Sequence, residues 1–454
     1  MLTYELKKQP GQPLYEQLYR CIREDILSGH IAPGQKLPSK RALAAHLEVS
    51  QITVEGAYEQ LLAEGYIAAR QRIGYFAESA TRQQPISQPR QEPETTSPWA
   101  IDLTVNASTD FPFSVWSRLQ RQVLQEQPEK LLRACPNLGL WELRCAIADH
   151  LAGFRGLHAD PANILVGAGT DFLYNLLIQL LGRDQVYALE EPGYSKIRRI
   201  YEAGGVRCLL ADMDDQGILP QSLEGATVLH FSPSHHFPTG LVTPISRRRE
   251  LLNWAQKGNH WIIEDDYDSE FRFTAHPVPT MASMDSGSRV IYMNTFSKTL
   301  APSIRISYMV LPPSLMAQFQ EKLGFYSCTV PSFEQYTLAA FLSQGYFEKH
   351  INRMRRTYKA RRNGVMAALL ESSHAESFRI LEQDAGLHFL LRVDTDLTEE
   401  ALTHRCAAIG IRVLPLSHYY HGAVPPESRR CLVINYSGLG QQHIDRLRSL
   451  LEQL

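Results

Sequence analysis

The 454-residue sequence has no run of 18 apolar residues, and its first twelve, MLTYELKKQPGQ, lack the apolar core of a secretion signal. A helix needs about 20 apolar residues to cross a bilayer, so membrane-spanning and exported readings find no support and a cytoplasmic protein is expected. Cysteine is sparse too. The seven residues (Cys21, Cys135, Cys145, Cys208, Cys328, Cys406 and Cys431) are odd in number, scattered, and show no CxxC or Cys/His ligand spacing. That pattern argues against a disulfide framework or structural zinc and suits a reducing compartment. Charge of either sign is not in excess: 46 Lys and Arg against 48 Asp and Glu leave a net charge of -2, which points to no partner. What remains is 44% hydrophobic and 21% charged residues in a chain too long for one ordinary core. Two or three globular domains are expected.

One boundary is visible. ESATRQQPISQPRQEPETTSP, residues 78–98, is rich in Gln, Pro, Ser and Thr and nearly free of apolar side chains. Such a stretch cannot build a core and reads as a flexible linker between residues 1–77 and residues 99–454.

In the first part, Leu14, Leu18 and Ile22 recur every four residues on a helix ending near Gly29. Ser39 can cap a second helix bearing Leu43, Ala44 and Leu47. Ser50 can cap a third, with Val54, Ala57, Tyr58, Leu61 and Leu62 on one face and Gly65 closing it. YIAARQRIGYFA then alternates into two short strands. Two short helices joined by a tight turn and followed by a hairpin describe an α+β winged helix-turn-helix. A small helical domain that binds protein is the competing reading, because nine Lys and Arg against eight Asp and Glu give no basic footprint. Placement favours DNA: Lys40, Arg41, Arg70 and Arg72 fall at helix starts and in the hairpin, where phosphates and groove edges would lie.

PLYEQLYRCIREDILSGHIAPGQKLPSKRALAAHLEVSQITVEGAYEQLLAEGYIAARQRIGYF resembles the DNA-binding domain of GntR-family regulators along its length. The resemblance implies that Ser39, Lys40, Arg41, Ser50, Gln51, Thr53, Gln71 and Arg72 form the face toward a double-stranded operator. Two positions depart from the family pattern. Gln51 stands where arginine is usual, and Arg72 where the wing tip is often glycine. An arginine forks onto guanine for about 1–3 kcal/mol of discrimination, whereas glutamine suits adenine.

Beyond the linker, strand-like and helix-like segments alternate. Apolar runs occur at ANILVGAG, QVYALEEPGY, GVRCLLAD, ATVLHFSP, HWIIEDDYD, RVIYMNTFSK and RISYMVLP. Buried runs separated by helices predict an α/β domain with a mostly parallel sheet, whose ligands sit beyond the carboxyl ends of the strands. Several runs end in polar punctuation there: Gly169-Thr170, Tyr194, PSHHFPTG, Asp265-Asp266-Tyr267 and Ser297-Lys298. Each alone has a bland reading as a turn, a cap or a core residue. His235 and His236 have no carboxylate or cysteine at ligand spacing, so no metal is expected.

Together these residue types meet the needs of pyridoxal 5'-phosphate (PLP). Its aldehyde takes a lysine amine, its ring nitrogen a carboxylate, and its phenolic oxygen a tyrosine hydroxyl. Its flat ring takes an aromatic face, and its phosphate a helix start, hydroxyls and an arginine fork. NTFSKTLAPSIRISYMV supplies lysine, hydroxyls and arginine within one short stretch.

With VGAGTDFLYNLL, EEPGY and WIIEDDYDSEFRF, that stretch resembles fold-type I aminotransferases, and above all the MocR subfamily, in which a GntR domain is fused to an aminotransferase-like body. The resemblance implies a small C-terminal α+β subdomain over roughly residues 315–454 and a homodimer. It makes Lys298 the Schiff-base lysine, pairs Asp265 with the ring nitrogen, sets Tyr267 on the phenolic oxygen and stacks Tyr194. Gly169, Thr170, Thr295, Ser297 and Arg305 surround the phosphate. There are departures: His236 stands where the subfamily often has glutamine, and Phe237 where aminotransferases carry asparagine. Val433, in RRCLVINYSGL, takes the place of the arginine that grips a substrate carboxylate, though a three-residue shift would bring Arg430 there. These departures weigh toward a transcriptional regulator that senses PLP, or an amine or amino acid condensed with it. A working aminotransferase with an appended DNA-binding domain is the alternative.

Overall fold

The computed structural model describes residues 2–7, 13–79, 98–105, 110–273, 278–286, 288–381 and 386–453. Nearly all of the expected linker, residues 78–98, lies outside them. The chain divides into two compact units, Met1–Thr95 and Thr96–Leu454.

The smaller unit holds α1 (Leu14–Ser28), α2 (Lys40–His46), α3 (Gln51–Ala63) and the hairpin of β1 (Ile67–Arg70) and β2 (Gly74–Ala77). Each boundary has a local cause. Gly29 at φ 82° ends α1 in the left-handed region, where a side chain is disfavoured. The Ser39 hydroxyl accepts the Ala42 N–H, and the Ser50 hydroxyl accepts the Thr53 N–H, each at 3.2 Å. These bonds satisfy donors that a helix start leaves free. Leu18 and Ile22 of α1, Leu43 of α2 and Val54, Ala57, Tyr58 and Leu61 of α3 close one buried core. Leu62, expected on the same face, lies only partly buried at its edge.

In the larger unit all seven apolar runs become strands of one sheet. Its order is Ile164–Gly167, Ser307–Val310, Val290–Thr295, Trp261–Asp265, Val228–Phe231, Val186–Glu191, Arg207–Asp214 and the short Gly217–Ile218. The central neighbours run parallel, while Ser307–Val310 is antiparallel to both of its neighbours and Gly217–Ile218 to its one. Strands covered on both faces read as continuous apolar runs, which is why the sequence shows them so plainly.

The C-terminal part is α+β. A four-stranded antiparallel sheet that includes Phe378–Leu381, His388–Val393 and Cys431–Asn435 is backed by the long helix Tyr346–Leu370 and the helix Gln441–Leu451. The first described residues after the linker join this layer. Ile101 pairs parallel with Ile411, and the Leu103 carbonyl accepts from the Asn435 backbone and side-chain N–H groups, both at 3.0 Å.

Candidate functional site

Beyond the carboxyl ends of the parallel strands lies a cavity of about 430 Å³. Thr170, Tyr194, Asp265, Tyr267, Thr295, Ser297, Lys298 and Arg305 line it, residues far apart in the chain brought together by the strand order. Gly169 stands just behind them at φ 90°, and a Cβ there would collide with the Arg305 guanidinium. Glycine is therefore needed both for the backbone angle and for the close approach.

Asp265 ends its strand almost fully buried. Its Oδ2 accepts a 2.6 Å hydrogen bond from the Tyr174 hydroxyl and lies 3.5 Å from His230 Nε2. The ring of His230 is held in turn by Tyr201, 2.8 Å from its Nδ1. Burial, then the Asp265 charge, pushes the Tyr174 hydroxyl well above its ordinary pKa, so it remains a donor. Asp265 Oδ1 has no hydrogen-bond partner. A buried carboxylate oxygen left this way is unfavourable, and a protonated ring nitrogen would satisfy it.

Lys298 sits in the single turn Phe296–Thr299 that follows Val290–Thr295. Burial lowers its pKa below the ordinary lysine value, against the pull of Asp268 and Asp265. Both effects suit an amine that must be nucleophilic yet stay beside carboxylates. The Tyr267 hydroxyl lies 3.3 Å from His235 Nδ1, which is itself 2.8 Å from Asp268 Oδ2. Burial first, then nearby acids, keep the Tyr267 hydroxyl protonated. The Tyr194 ring is half exposed and meets Phe237 edge-on at 5.9 Å.

At the other end of the cavity the helix Thr170–Leu181 presents its N-terminus. Arg305 and Lys196 converge on Asp171 Oδ2 at 3.5 and 2.7 Å, and the buried Ser297 hydroxyl has no partner. Two cations against one anion, a helix start and a free hydroxyl make a cup for a dianion. Thr295, expected at the phosphate, lines this cavity and also braces the turn. Its hydroxyl already accepts from the Ser297 N–H and the Ser307 hydroxyl and reaches the Ile306 carbonyl, so it holds the turn. A free acid on the ring-nitrogen side, an amine, and an anion cup across one cavity fit PLP.

In the smaller unit Arg41, Gln51, Gln71 and Arg72 are exposed, while Ser39 and Ser50 serve as caps. The Ser50 hydroxyl also lies 2.8 Å from that of Thr53, which is partly buried. Lys40 departs from the expected phosphate contact. Its ammonium donates to Glu55 at 2.6 Å and lies over the Tyr75 ring, so it ties α2 to α3 and to the hairpin. Arg72 adopts φ 65°, which explains why glycine is common at this tip.

The family model for aminotransferase class I and II matches residues 99–451, and that for bacterial regulatory proteins of the gntR family matches residues 14–76. This chain is a MocR-type member of the GntR regulators. The regulator is 39% identical to the uncharacterized HTH-type transcriptional regulator YdeL of Bacillus subtilis, covering 98% of this chain and 97% of that one. It is 31% identical to the "Probable rhizopine catabolism regulatory protein MocR" of Rhizobium meliloti, over 98% and 95% of the two chains. With the pyridoxine biosynthesis transcriptional regulator PdxR of Corynebacterium glutamicum it shares 30% identity, over 89% and 88%. Among solved structures, kynurenine aminotransferase from Pyrococcus horikoshii superposes with a TM-score of 0.67 at 23% identity, covering 79% of this chain and 92% of that one.

Within this regulator, Val433 is buried in the strand Cys431–Asn435 and packs with Leu390, Leu416 and Tyr419. Arg429 and Arg430 precede that strand, are exposed, and do not line the cavity. Among the described lining residues the cations are Lys196, Lys298 and Arg305. His236 is fully buried 2.7 Å from the Thr239 hydroxyl, and burial pushes its pKa down to about 3, so it adds no charge. No group of three or more His, Cys, Asp or Glu side chains is arranged to hold a metal among the described residues. Sequence reading missed Tyr174, His230, Asp171, Lys196 and Asn435. It also passed over Ile52, 79% exposed in the first turn of α3. Only Ile52 had a local signal: it is apolar and lies off the buried face of its helix.

Proposed function

We propose that the regulator binds PLP in the cavity and that its occupancy changes operator binding by the winged unit. PLP supplies an aldehyde that condenses with amines and a ring that draws electrons when its nitrogen is protonated. Lys298 offers the amine, Asp265 holds the ring-nitrogen proton at Oδ1, and Tyr267 donates to the phenolic oxygen. Tyr194 covers the ring, and the Thr170 helix start, Ser297 and Arg305 hold the phosphate. The observation that carries this reading is the buried, unpartnered Oδ1 of Asp265, a residue that lines the same cavity as Lys298.

PLP itself is the favoured signal, because Val433 cannot grip a carboxylate and the missing charge-assisted fork is worth about 1.5–3 kcal/mol. The relative named for pyridoxine biosynthesis supports that choice. An amine or amino acid condensed with PLP is the second candidate. Lys298, Asp265 and Tyr267 would equally serve transamination, and turnover of an amino acid with a keto acid at enzyme-like rates would put that activity first. The regulator acts as a homodimer whose two winged units read paired half-sites. The ligand must favour one arrangement of those units over another. Operator titrations without PLP, with PLP and with a panel of amines test this. An affinity indifferent to all of them rules out ligand control.

On DNA, Arg41 reaches the groove edge and Ile52 offers an apolar contact to a thymine methyl. Arg41→Ala should weaken operator binding at least about tenfold, one good contact being worth about 1–3 kcal/mol. Unchanged affinity in a gel-shift titration removes Arg41 from the contact set. Arg72→Gly should flatten the dependence of log affinity on log salt by about 0.9, the contribution of one phosphate contact. The fold should tolerate it, since φ 65° suits glycine. An unaltered slope places Arg72 off the backbone.

A further inference from the structure

Cys135 and Cys328 lie 193 positions apart in sequence, yet one buried side chain holds both. Gln335 Nε2 is 3.1 Å from Cys135 Sγ and 3.4 Å from Cys328 Sγ, so one amide brings the two sulfurs to the same point, while the Cys328 thiol lies 3.7 Å from the Val166 carbonyl. Both residues are half-buried. The same Gln335 amide donates to the Val330 carbonyl at 2.8 Å, and its oxygen accepts the Leu140 N–H at 2.8 Å. Gln335 therefore pins together the segments that enter the helices Trp141–Arg155 and Ser332–Ser343. Next to Cys328, the Thr329 hydroxyl accepts the Ala168 N–H at 3.0 Å, one residue before Gly169.

We propose that Cys135 and Cys328 are a redox-active pair that a hydroperoxide converts to a reversible disulfide. The Cys135 thiolate attacks one peroxide oxygen, the O–O bond breaks, and hydroxide leaves a sulfenic acid on Cys135. The Cys328 sulfur then attacks the Cys135 sulfur; the S–S bond forms, the S–O bond breaks, and the oxygen departs as water with the Cys328 proton. Two thiols lose two electrons and two protons, and hydrogen peroxide becomes two waters. A thiol reductant reverses the change. The assignment of nucleophile follows the surroundings. The neighbouring Cys328 thiol, with help from the Gln335 amide 3.1 Å away and from Arg144, pulls the Cys135 thiol below its ordinary value, while Cys328 is pushed up by its Cys135 neighbour and by burial. A thiol whose ionised form is favoured, beside a resolving thiol, is the arrangement oxidant-sensitive pairs share.

Closing the bond draws the two sulfurs off the Gln335 amide and moves Cys328, and with it the Thr329 bond that supports the Gly169 turn. Oxidation therefore shifts affinity for the phosphate end of the ligand, a consequence that rests on the cavity binding PLP.

The full-length protein is treated with hydrogen peroxide, blocked with N-ethylmaleimide and mapped without reduction. One linked peptide pair joining Cys135 to Cys328 is expected, with the other five of the seven cysteines alkylated and the link lost in dithiothreitol. Cys135→Ser and Cys328→Ser should each abolish it. Both thiols remaining alkylatable at doses that oxidise exposed methionines, or links to other cysteines instead, overturn the proposal. PLP titrations of oxidised and reduced protein should then differ by about fivefold or more, a typical coupling between sites. Equal affinities overturn the coupling. Failure of both forms to bind PLP strikes the cofactor reading instead and leaves the peptide map to decide the thiol chemistry.

Discussion

Lys298→Ala is expected to leave the protein colourless when PLP is added, and to remove the label that borohydride fixes on the wild type. Two lysines line the cavity among the described residues, and their surroundings differ. Lys196 is exposed and paired to Asp171 at 2.7 Å, beside the Arg305 end of the cavity. Lys298 emerges from a strand end, and its burial favours the neutral amine that attacks an aldehyde. Lys196→Ala should therefore keep the absorbance and lose only affinity. Colour retained by Lys298→Ala, or a borohydride label mapped to another lysine, shows that a different amine holds the aldehyde.

Asp265→Asn should lower affinity for PLP by about 10- to 100-fold, since a hydrogen bond to a charged partner is worth about 1.5–3 kcal/mol. Asparagine keeps the size and the Tyr174 contact but removes the charge that holds a proton on the ring nitrogen. The bound absorbance should shift as well, because ring protonation changes the electronics of the cofactor. Protein denaturation followed in parallel separates this from misfolding: the variant should gain less thermal stability from added PLP than the wild type does. Unchanged affinity with an unchanged spectrum would place the ring nitrogen elsewhere.

Strands and caps were legible because their causes are local. An apolar run of a few residues has only two covered faces to serve, and a serine three positions before a helix donor bonds it wherever the helix lies. Strand order was not legible. The antiparallel insertion of Ser307–Val310 between Ile164–Gly167 and Val290–Thr295 depends on contacts across well over a hundred residues. The same limit hid Tyr174 and His230 behind Asp265, and it hid the pairing of Lys40 with Glu55, which turns an expected phosphate ligand into an internal brace. That Lys298, Asp265, Tyr267 and Arg305 would meet in one cavity could be anticipated, because a cofactor with distinct chemical ends demands distinct residue types. The bonds of the Thr295 hydroxyl were hidden for the complementary reason. Its partners Ser307 and Ile306 are near in sequence, but only the fold shows that they use up its bonds.

The attachment of Leu103 to Asn435 has a mechanical meaning. Asn435, Thr104 and Val105 all face the ligand chamber, and Ile101 is stitched to the same C-terminal layer. The residues that follow the linker are thus moored on the chamber wall itself. A guest that displaced Asn435 would therefore also disturb the two bonds that hold Leu103, an anchor on the C-terminal side of the linker.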